Sequence, residues 1–379
     1  MNRASAAPAS QSFEWMRSAL PTALPAWIVA RVLVAGALVT SHLLLGHVDD
    51  PLARVTTGQG LLAWDGAFYA DLAQHGYAAL PHSALRFFPL TPLLGRAVGW
   101  LGFGPRVGVV IVANAAALTA SLLLIRLVRR EGFSDDVARR ASWLLSLAPA
   151  AFVLVLSYGE GVFLALAIGV ALAARNRSWV VAMTLGLLAG LSRPSGFIVA
   201  VPIAIEAARA LRGISPRELA TRVFAVLAPF AGTGVFLWWV GDQFGDALLP
   251  FRVQTRSNLK GSFTDPVKSI SDAVSGLIHG RTVGTGLHVG WMIVVAVLLV
   301  ICFRRLPASY GWFSLALVAS AMTSANLDSF ERYALGAFPL TIAVALIAHT
   351  LWTARLVIAG SAVAMTGYAT LAFLHAYVP

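Results

Sequence analysis

The sequence predicts an all-α polytopic membrane protein with about eleven transmembrane helices and long outer loops that carry short interfacial helices. Three observations predict it. Of 379 residues, 58% are hydrophobic and 12% charged, against roughly a quarter charged in a soluble domain. The apolar residues gather in runs bounded by charges, Pro or Gly, and about eleven spans of about 20 residues would take up about 220 positions. The net charge of +11 is unevenly shared between alternate loops. This composition excludes a soluble enzyme, a disordered chain and a soluble nucleic-acid binder.

Residues 1–25 are Pro/Ala/Ser-rich and read as a cytoplasmic N-terminal segment. The run 26–45 is longer than a signal-peptide core and lacks a cleavage site after it, so it reads as an uncleaved first span. Residues 26–379 then form one transmembrane domain. An outer loop, 46–106, precedes spans at 107–125, 141–157, 161–174, 178–192, 197–211 and 219–240. A second outer loop, 241–285, leads to spans at 286–303, 309–325, 333–352 and 356–376. The stretch 88–103 contains Pro89, Pro92 and Arg96, which favours a short or interfacial helix over a crossing.

With the N-terminus inside, the inner segments, from Arg3 and Arg31 to Arg355, hold 17 of the 28 basic and six of the 17 acidic residues. The outer face is balanced, so the whole excess is a positive-inside signal. No nucleic-acid partner is needed to explain it. Cys302 is the one cysteine and has no intramolecular partner. No Cys/His spacing suits a metal, and no cofactor is called for. Gly284-Thr-Gly286 lacks the spacing of a dinucleotide site. Gly186 and Gly190 form a G-x-x-x-G pair that suits helix packing.

The richest chemistry lies in Trp64-Asp65-Gly-Ala-Phe-Tyr69-Ala-Asp71-Leu-Ala-Gln-His75-Gly76-Tyr77. Phe68 and Leu72 share one helical face and Asp71 and His75 another, so 67–75 reads as a short amphipathic helix stopped by Gly76. Asp65 reads either as the helix cap or as a general base that takes a proton from a sugar or lipid hydroxyl. Trp64 and Tyr69 read as interface anchors or as surfaces that meet a sugar. Asp49 and Asp50 read as solvated acids or a metal-binding pair. Other polar clusters fall at the outer ends of later spans: Tyr158-Gly159-Glu160, Ser192-Arg193-Pro194-Ser195-Gly196, and Asp328-Ser-Phe-Glu331-Arg332-Tyr333. Ionisable groups so close to lipid usually face a bundle interior or polar cavity. Glu160 with Arg193 or Arg332 is either a structural ion pair or a substrate contact, and either guanidinium can grip a phosphate. Tyr333 is an interface aromatic or a ligand contact. The stretch from Arg252 through Gln254 and Arg256 to Lys260 reads as a basic shelf for an anionic head group or as plain surface loop.

Trp64 to Tyr77, followed by Phe87-Phe88-Pro89-Leu90-Thr91-Pro92-Leu93, resembles the first luminal loop of the PIG-V mannosyltransferases, which add the second mannose of GPI anchors. Pro149-Ala-Ala-Phe152 with Tyr158-Gly-Glu160, Gly190-Leu-Ser-Arg193-Pro-Ser-Gly196, and Arg332-Tyr333 with Phe338-Pro339 continue the resemblance in the same order. Gly159 departs from it, where that family more often has Thr or Ser. The resemblance implies a bacterial relative with a GT-C-like fold. It implies a polyprenyl-phosphate sugar donor and a lipid or glycan acceptor on the extracytoplasmic face of the cell membrane. Asp65 matches the acidic residue of that family's first loop, and Glu160, Arg193 and Arg332 match its other polar positions. With Asp65 as the catalytic base, Trp64, Tyr69, Glu160, Arg193, Arg332 and Tyr333 are the residues expected to bind substrate. The chain offers no cytoplasmic domain or nucleotide fingerprint for a soluble nucleotide-sugar. The rival classes are a lipid or sugar-lipid flippase and a noncatalytic membrane subunit.

Overall fold

The computed structural model describes residues 9–256, 261, 264–279, 283–323, 327 and 329–379. Among them are seventeen α-helices and no strand. The chain opens with α1 (Ala9–Leu44), and the first long loop then folds into α2 (Pro51–Gln59), α3 (Asp65–His75) and α4 (Leu90–Val98). Next come α5 (Pro105–Arg130), α6 (Asp135–Leu147), α7 (Glu160–Arg175), α8 (Trp179–Gly190), α9 (Ala200–Ala207) and α10 (Pro216–Phe244). The second long loop carries α11 (Leu249–Arg252) and α12 (Pro266–Ile278). The chain closes with α13 (Val283–Arg305), α14 (Ala308–Ala321), α15 (Phe330–Gly336), α16 (Phe338–Ile347) and α17 (Leu351–Phe373).

Local chemistry sets many of these ends. Asp50, one of the two adjacent acids, accepts the Leu52 N–H and starts α2 with Pro51 in the first turn. Ser215 does the same for α10, whose end is closed by Gly245 in the left-handed conformation. Thr350 and Thr353 form a reciprocal capping box at α17.

Each predicted span overlaps helix, but 141–157, 197–211 and 333–352 run past helix ends, and the tail of 309–325 reaches residues outside the described ones. About eleven crossings are not confirmed among the described residues. Four described helices are long and apolar enough to cross a bilayer alone: Glu14–His47, Pro105–Arg130, Pro216–Phe244 and Leu351–Phe373. A fifth crossing is available if α15 and α16, bent by 85° at their junction, count as one broken span. The physical reason is length. The twelve residues of α8 rise only about 18 Å, against a hydrocarbon core of about 30 Å. An apolar run reports burial without saying whether lipid or protein does the burying. Helix α7 shows the difference, since nearly all of it is enclosed by α5, α8 and α9. Four long apolar helices nevertheless make this a membrane protein.

Helices α8 and α10 meet through the G-x-x-x-G pair. A Cβ on Gly190 would lie 2.1 Å from the Pro229 carbonyl, and one on Gly232 would lie 2.0 Å from the Leu187 carbonyl. Only hydrogen fits there, so the two backbones touch. Helix α1 starts well before residue 26, which moves Arg31 from the predicted inner end to mid-helix. There its guanidinium donates to Asn114 Oδ1 (2.9 Å), the Leu154 carbonyl (3.0 Å) and the Trp27 carbonyl (3.1 Å). Its charge is thus absorbed by backbone and amide acceptors of its own helix and of neighbouring elements.

One end of the bundle is stapled by an ion network. Arg175 grips both oxygens of Glu131 (2.9 and 2.7 Å) and reaches Glu206 (3.2 Å), while Tyr310 and Ser309 donate to the same two acids. The network ties the α5–α6 turn, α7, α9 and α14 together. Burial alone would raise the Glu131 carboxyl, but Arg175, Tyr310 and Arg130 hold it below its ordinary 4.5. A carboxyl lowered in the folded state contributes stability that is fully present above 4.5 and is lost as pH falls through the lower folded value. We expect the melting temperature in detergent to fall on acidification below that point, and Glu131→Gln to flatten that part of the slope. An unchanged acid slope in Glu131→Gln would assign the loss to other groups.

Candidate functional site

The second cluster of charge lies at the other end of α7. Glu160 begins that helix and Arg175 ends it, so the two clusters stand about 22 Å apart along its axis. The first long loop builds this end. Its α3 and α4 pack on α5, and α4 continues into an edge that exposes Trp100, Leu101 and Phe103, suited to a lipid–water boundary. Helix α3 spans Asp65–His75 and is ended by Gly76 at φ 77, close to the predicted helix. Gly66 lets its first turn approach the segment before α7, since a Cβ there would be 2.5 Å from Ser157 Oγ. The Asp65 N–H donates to the Tyr158 hydroxyl at 3.3 Å. The start of α3 is thereby pinned beside Tyr158-Gly159-Glu160.

Asp65 does not cap its helix. The cap position belongs to Trp64, with no side-chain cap bond. The carboxylate turns instead to two guanidinium groups: Arg332 Nη1 at 2.6 Å from Oδ2, and Arg86 Nη2 at 3.2 Å from Oδ1. Arg332 also faces Glu160, with Nε 3.6 Å from Oε1, and so bridges the two acids. Its guanidinium stands over the rings of Tyr158 (5.4 Å) and Tyr333 (5.2 Å). Arg193 comes from the break between α8 and α9, where the following Pro194 favours extended backbone. It packs over Phe163 (4.9 Å) and the Tyr333 ring (5.2 Å). Tyr333 thus touches both guanidinium groups. Arg193 makes no ion pair among the described residues, and its Nη1 is buried without a hydrogen-bond partner.

Tyr69 is enclosed by protein, edge-on to Phe87 at 5.0 Å, and is therefore no interface anchor. Burial, then the charges of Glu160 and Asp65, push its hydroxyl well above the ordinary tyrosine value, against the pull of Arg193 and Arg332. Burial and Asp65 push Tyr158 up as well. Both stay protonated at neutral pH and can donate hydrogen bonds.

The structure gathers Asp65, Tyr69, Glu160, Arg193, Arg332 and Tyr333 at one place. It takes Trp64 away from them. The indole N–H donates to the Ala372 carbonyl (2.8 Å), and one ring face is stacked on His375 at 4.4 Å. Trp64 therefore anchors α3 to the C-terminal helix. Asp71 pairs with Arg106 at 2.6 Å on the surface. Glu331 turns the other way from Arg332 and accepts the Tyr377 hydroxyl at 3.1 Å. On the second loop Arg252 pairs with Asp246 at 2.9 Å. Arg3, Lys260 and Asp328 lie outside the described residues.

Two members escape sequence reasoning. Arg86 reaches Asp65 and also stands over the Phe87 ring at 4.6 Å. Its only signal was a lone Arg directly before Phe87-Phe88-Pro89. Thr91 sits in that same run and is fully buried. Among the described residues no group of three or more His, Cys, Asp or Glu is arranged to hold a metal ion. An apolar groove of about 610 Å³ between α1 and α17 is lined by residues such as Leu33, Val363 and Leu371 and by no ionisable group. Convergent charge, and not the groove, marks the candidate site.

No protein-family model and no curated protein matches the sequence. Among solved structures, the chain has a slight likeness to the Archaeoglobus fulgidus oligosaccharyltransferase tethered with an acceptor peptide. The identity is 14% and the TM-score 0.42, over 78% of this chain and 48% of that one. The same archaeal protein in complex with zinc and sulfate gives 16% identity and a TM-score of 0.43, over 77% and 45%. This chain spans about half the length of those it matches. At such values neither the fold nor the chemistry of the archaeal enzyme is carried over.

Proposed function

We propose that this chain is a membrane glycosyltransferase. It moves mannose, or a related sugar, from a polyprenyl-phosphate donor to a hydroxyl of a lipid or glycan acceptor on the extracytoplasmic face. The observation that carries the reading is one carboxylate, Asp65, set beside Arg332 and near an Arg193 that pairs with no acid among the described residues and whose Nη1 is buried without a hydrogen-bond partner. An inverting glycosyl transfer needs a base for the incoming hydroxyl and a cation for the departing phosphate. Both are present here, at one end of a bundle of apolar helices.

In this account Asp65 takes the acceptor proton as the acceptor oxygen bonds to the anomeric carbon. The bond from that carbon to the phosphate oxygen breaks in the same displacement, and polyprenyl phosphate leaves with the electron pair. Configuration inverts. Arg193 holds the phosphate. Arg332 is already committed to Asp65 and Glu160, and a guanidinium with a free fork suits a phosphate best. Glu160 keeps Arg332 in place.

The reading is tested with protein reconstituted in vesicles and labelled polyprenyl-phosphate mannose. We expect label in a new glycosidic product on an added lipid or glycan acceptor. Net movement of labelled carrier across the bilayer with no glycosidic bond formed would overturn the reading in favour of a flippase.

A further inference from the structure

Eight buried side-chain polar atoms among the described residues have no hydrogen-bond partner, and five of them belong to Arg86, Thr91, Glu160, Arg193 and Arg332. Such atoms cost stability unless something satisfies them. Their concentration at one place marks where a polar ligand completes the structure. The glycosyl-transfer reading assigns Arg193 to phosphate and leaves Thr91 Oγ1 and Glu160 Oε2 among the atoms without a role.

Thr91 Oγ1 meets a third polar atom, the Tyr69 hydroxyl, beside the residue that precedes Glu160. A Cβ built on Gly159 would lie 2.6 Å from the Tyr69 hydroxyl and 3.3 Å from Thr91 Oγ1. Both hydroxyls therefore converge on the backbone immediately before Glu160. Thr91 stands in the first turn of α4, where a threonine commonly turns its hydroxyl to the carbonyl four residues back. That carbonyl, Phe87, already accepts the Tyr77 hydroxyl. The Tyr69 hydroxyl makes no hydrogen bond to a described residue. Phe87 packs on its ring, so the ring cannot easily turn away.

The donor set decides the ligand class. Glu160 Oε2 can only accept, so the ligand must bring an O–H or N–H to it. A phosphate would be repelled. Tyr69 donates, and Thr91 does either. A rigid ring with neighbouring hydroxyls answers all three.

We propose that Tyr69, Thr91 and Glu160 form a hydroxyl-reading corner that binds ring hydroxyls of the transferred hexose, across Arg332 from Asp65. This rests on the glycosyl-transfer reading of the site. It makes Tyr69 and Thr91 specificity-determining residues, and Gly159 the residue whose missing Cβ lets both hydroxyls approach the start of α7.

The test uses reconstituted protein with polyprenyl-phosphate mannose and its monodeoxy analogues, comparing kcat/KM for each donor. A site built to hydrogen-bond a hydroxyl rejects the analogue that lacks it. We expect the wild type to disfavour at least one deoxy donor by about tenfold or more. In Thr91→Val, which keeps shape and loses the hydroxyl, the preference for one position should collapse toward unity. Tyr69→Phe should do the same at a neighbouring position. The ratio within one variant is independent of how much protein folds. If Thr91→Val is inactive on every donor, the Tyr69→Phe ratios decide alone. A wild type that transfers sugar but ignores every deoxy change, or variants that keep its full preference, would overturn the corner while sparing the transferase. A wild type that transfers from none of these donors overturns the transferase reading and the corner with it.

Discussion

Asp65→Asn is expected to lose sugar transfer by about 10²- to 10⁴-fold, the usual contribution of a positioned general base. The fold should survive. Arg332 keeps Glu160 as a counter-charge, and Arg86, about a fifth exposed, can turn toward water. Asparagine still presents an oxygen to Arg332, so the loss isolates the proton-accepting role from the structural one. Activity is measured on monodisperse protein, with thermal unfolding beside it. Full activity in a folded Asp65→Asn would remove Asp65 from the chemistry, and the ion cluster would then be a structural lock.

Arg193→Gln is expected to raise KM for the polyprenyl-phosphate donor by roughly 10- to 100-fold, the worth of about 1.5–3 kcal/mol for a hydrogen bond to a charged group. Arg193→Lys should recover little of it. Lysine offers a point charge without the planar fork, and it lies less well against the faces of Phe163 and Tyr333. The effect should fall on kcat as well to the extent that the phosphate gains charge as it leaves. Steady-state kinetics with varied donor separates the two constants. An Arg193→Gln protein with wild-type KM would move the phosphate contact elsewhere, with Arg86 next in line because its Nε is buried and unpartnered.

Much of this site was legible in the sequence because its parts sit where apolar helices begin or break. Glu160 starts a helix, Arg193 precedes a proline, and Arg332 lies in the short helix before a bend. Charge at such positions has few places to go except a shared polar interior. The helix after Asp65 was legible from its spacing and its glycine stop. Which partner each charge finds was not. Asp65 and Arg332 are separated by 267 positions, and only packing reveals that pair. Asp65 looked like a cap because it stands at a helix start, but two guanidinium groups outbid the backbone N–H for its oxygens. Trp64 read as an interface anchor or a sugar-stacking surface, yet its indole meets Ala372 and His375 inside the protein. The count of about eleven spans was not confirmed, because four described helices are long and apolar enough to cross alone. Helices such as α7 are apolar because other helices surround them.

The central claim is that the Asp65–Arg332–Glu160–Arg193 cluster is where a lipid-linked sugar is cut and transferred. It is tested most directly by a structure of the protein with a polyprenyl-phosphate sugar bound. The account predicts the phosphate at the Arg193 guanidinium, the sugar ring on the Tyr69–Thr91–Glu160 side, and the Asp65 carboxylate facing the anomeric carbon from the side away from the phosphate. A carrier phosphate bound away from Arg193, with the Asp65–Arg86–Arg332 contacts undisturbed and no sugar beside them, would contradict it.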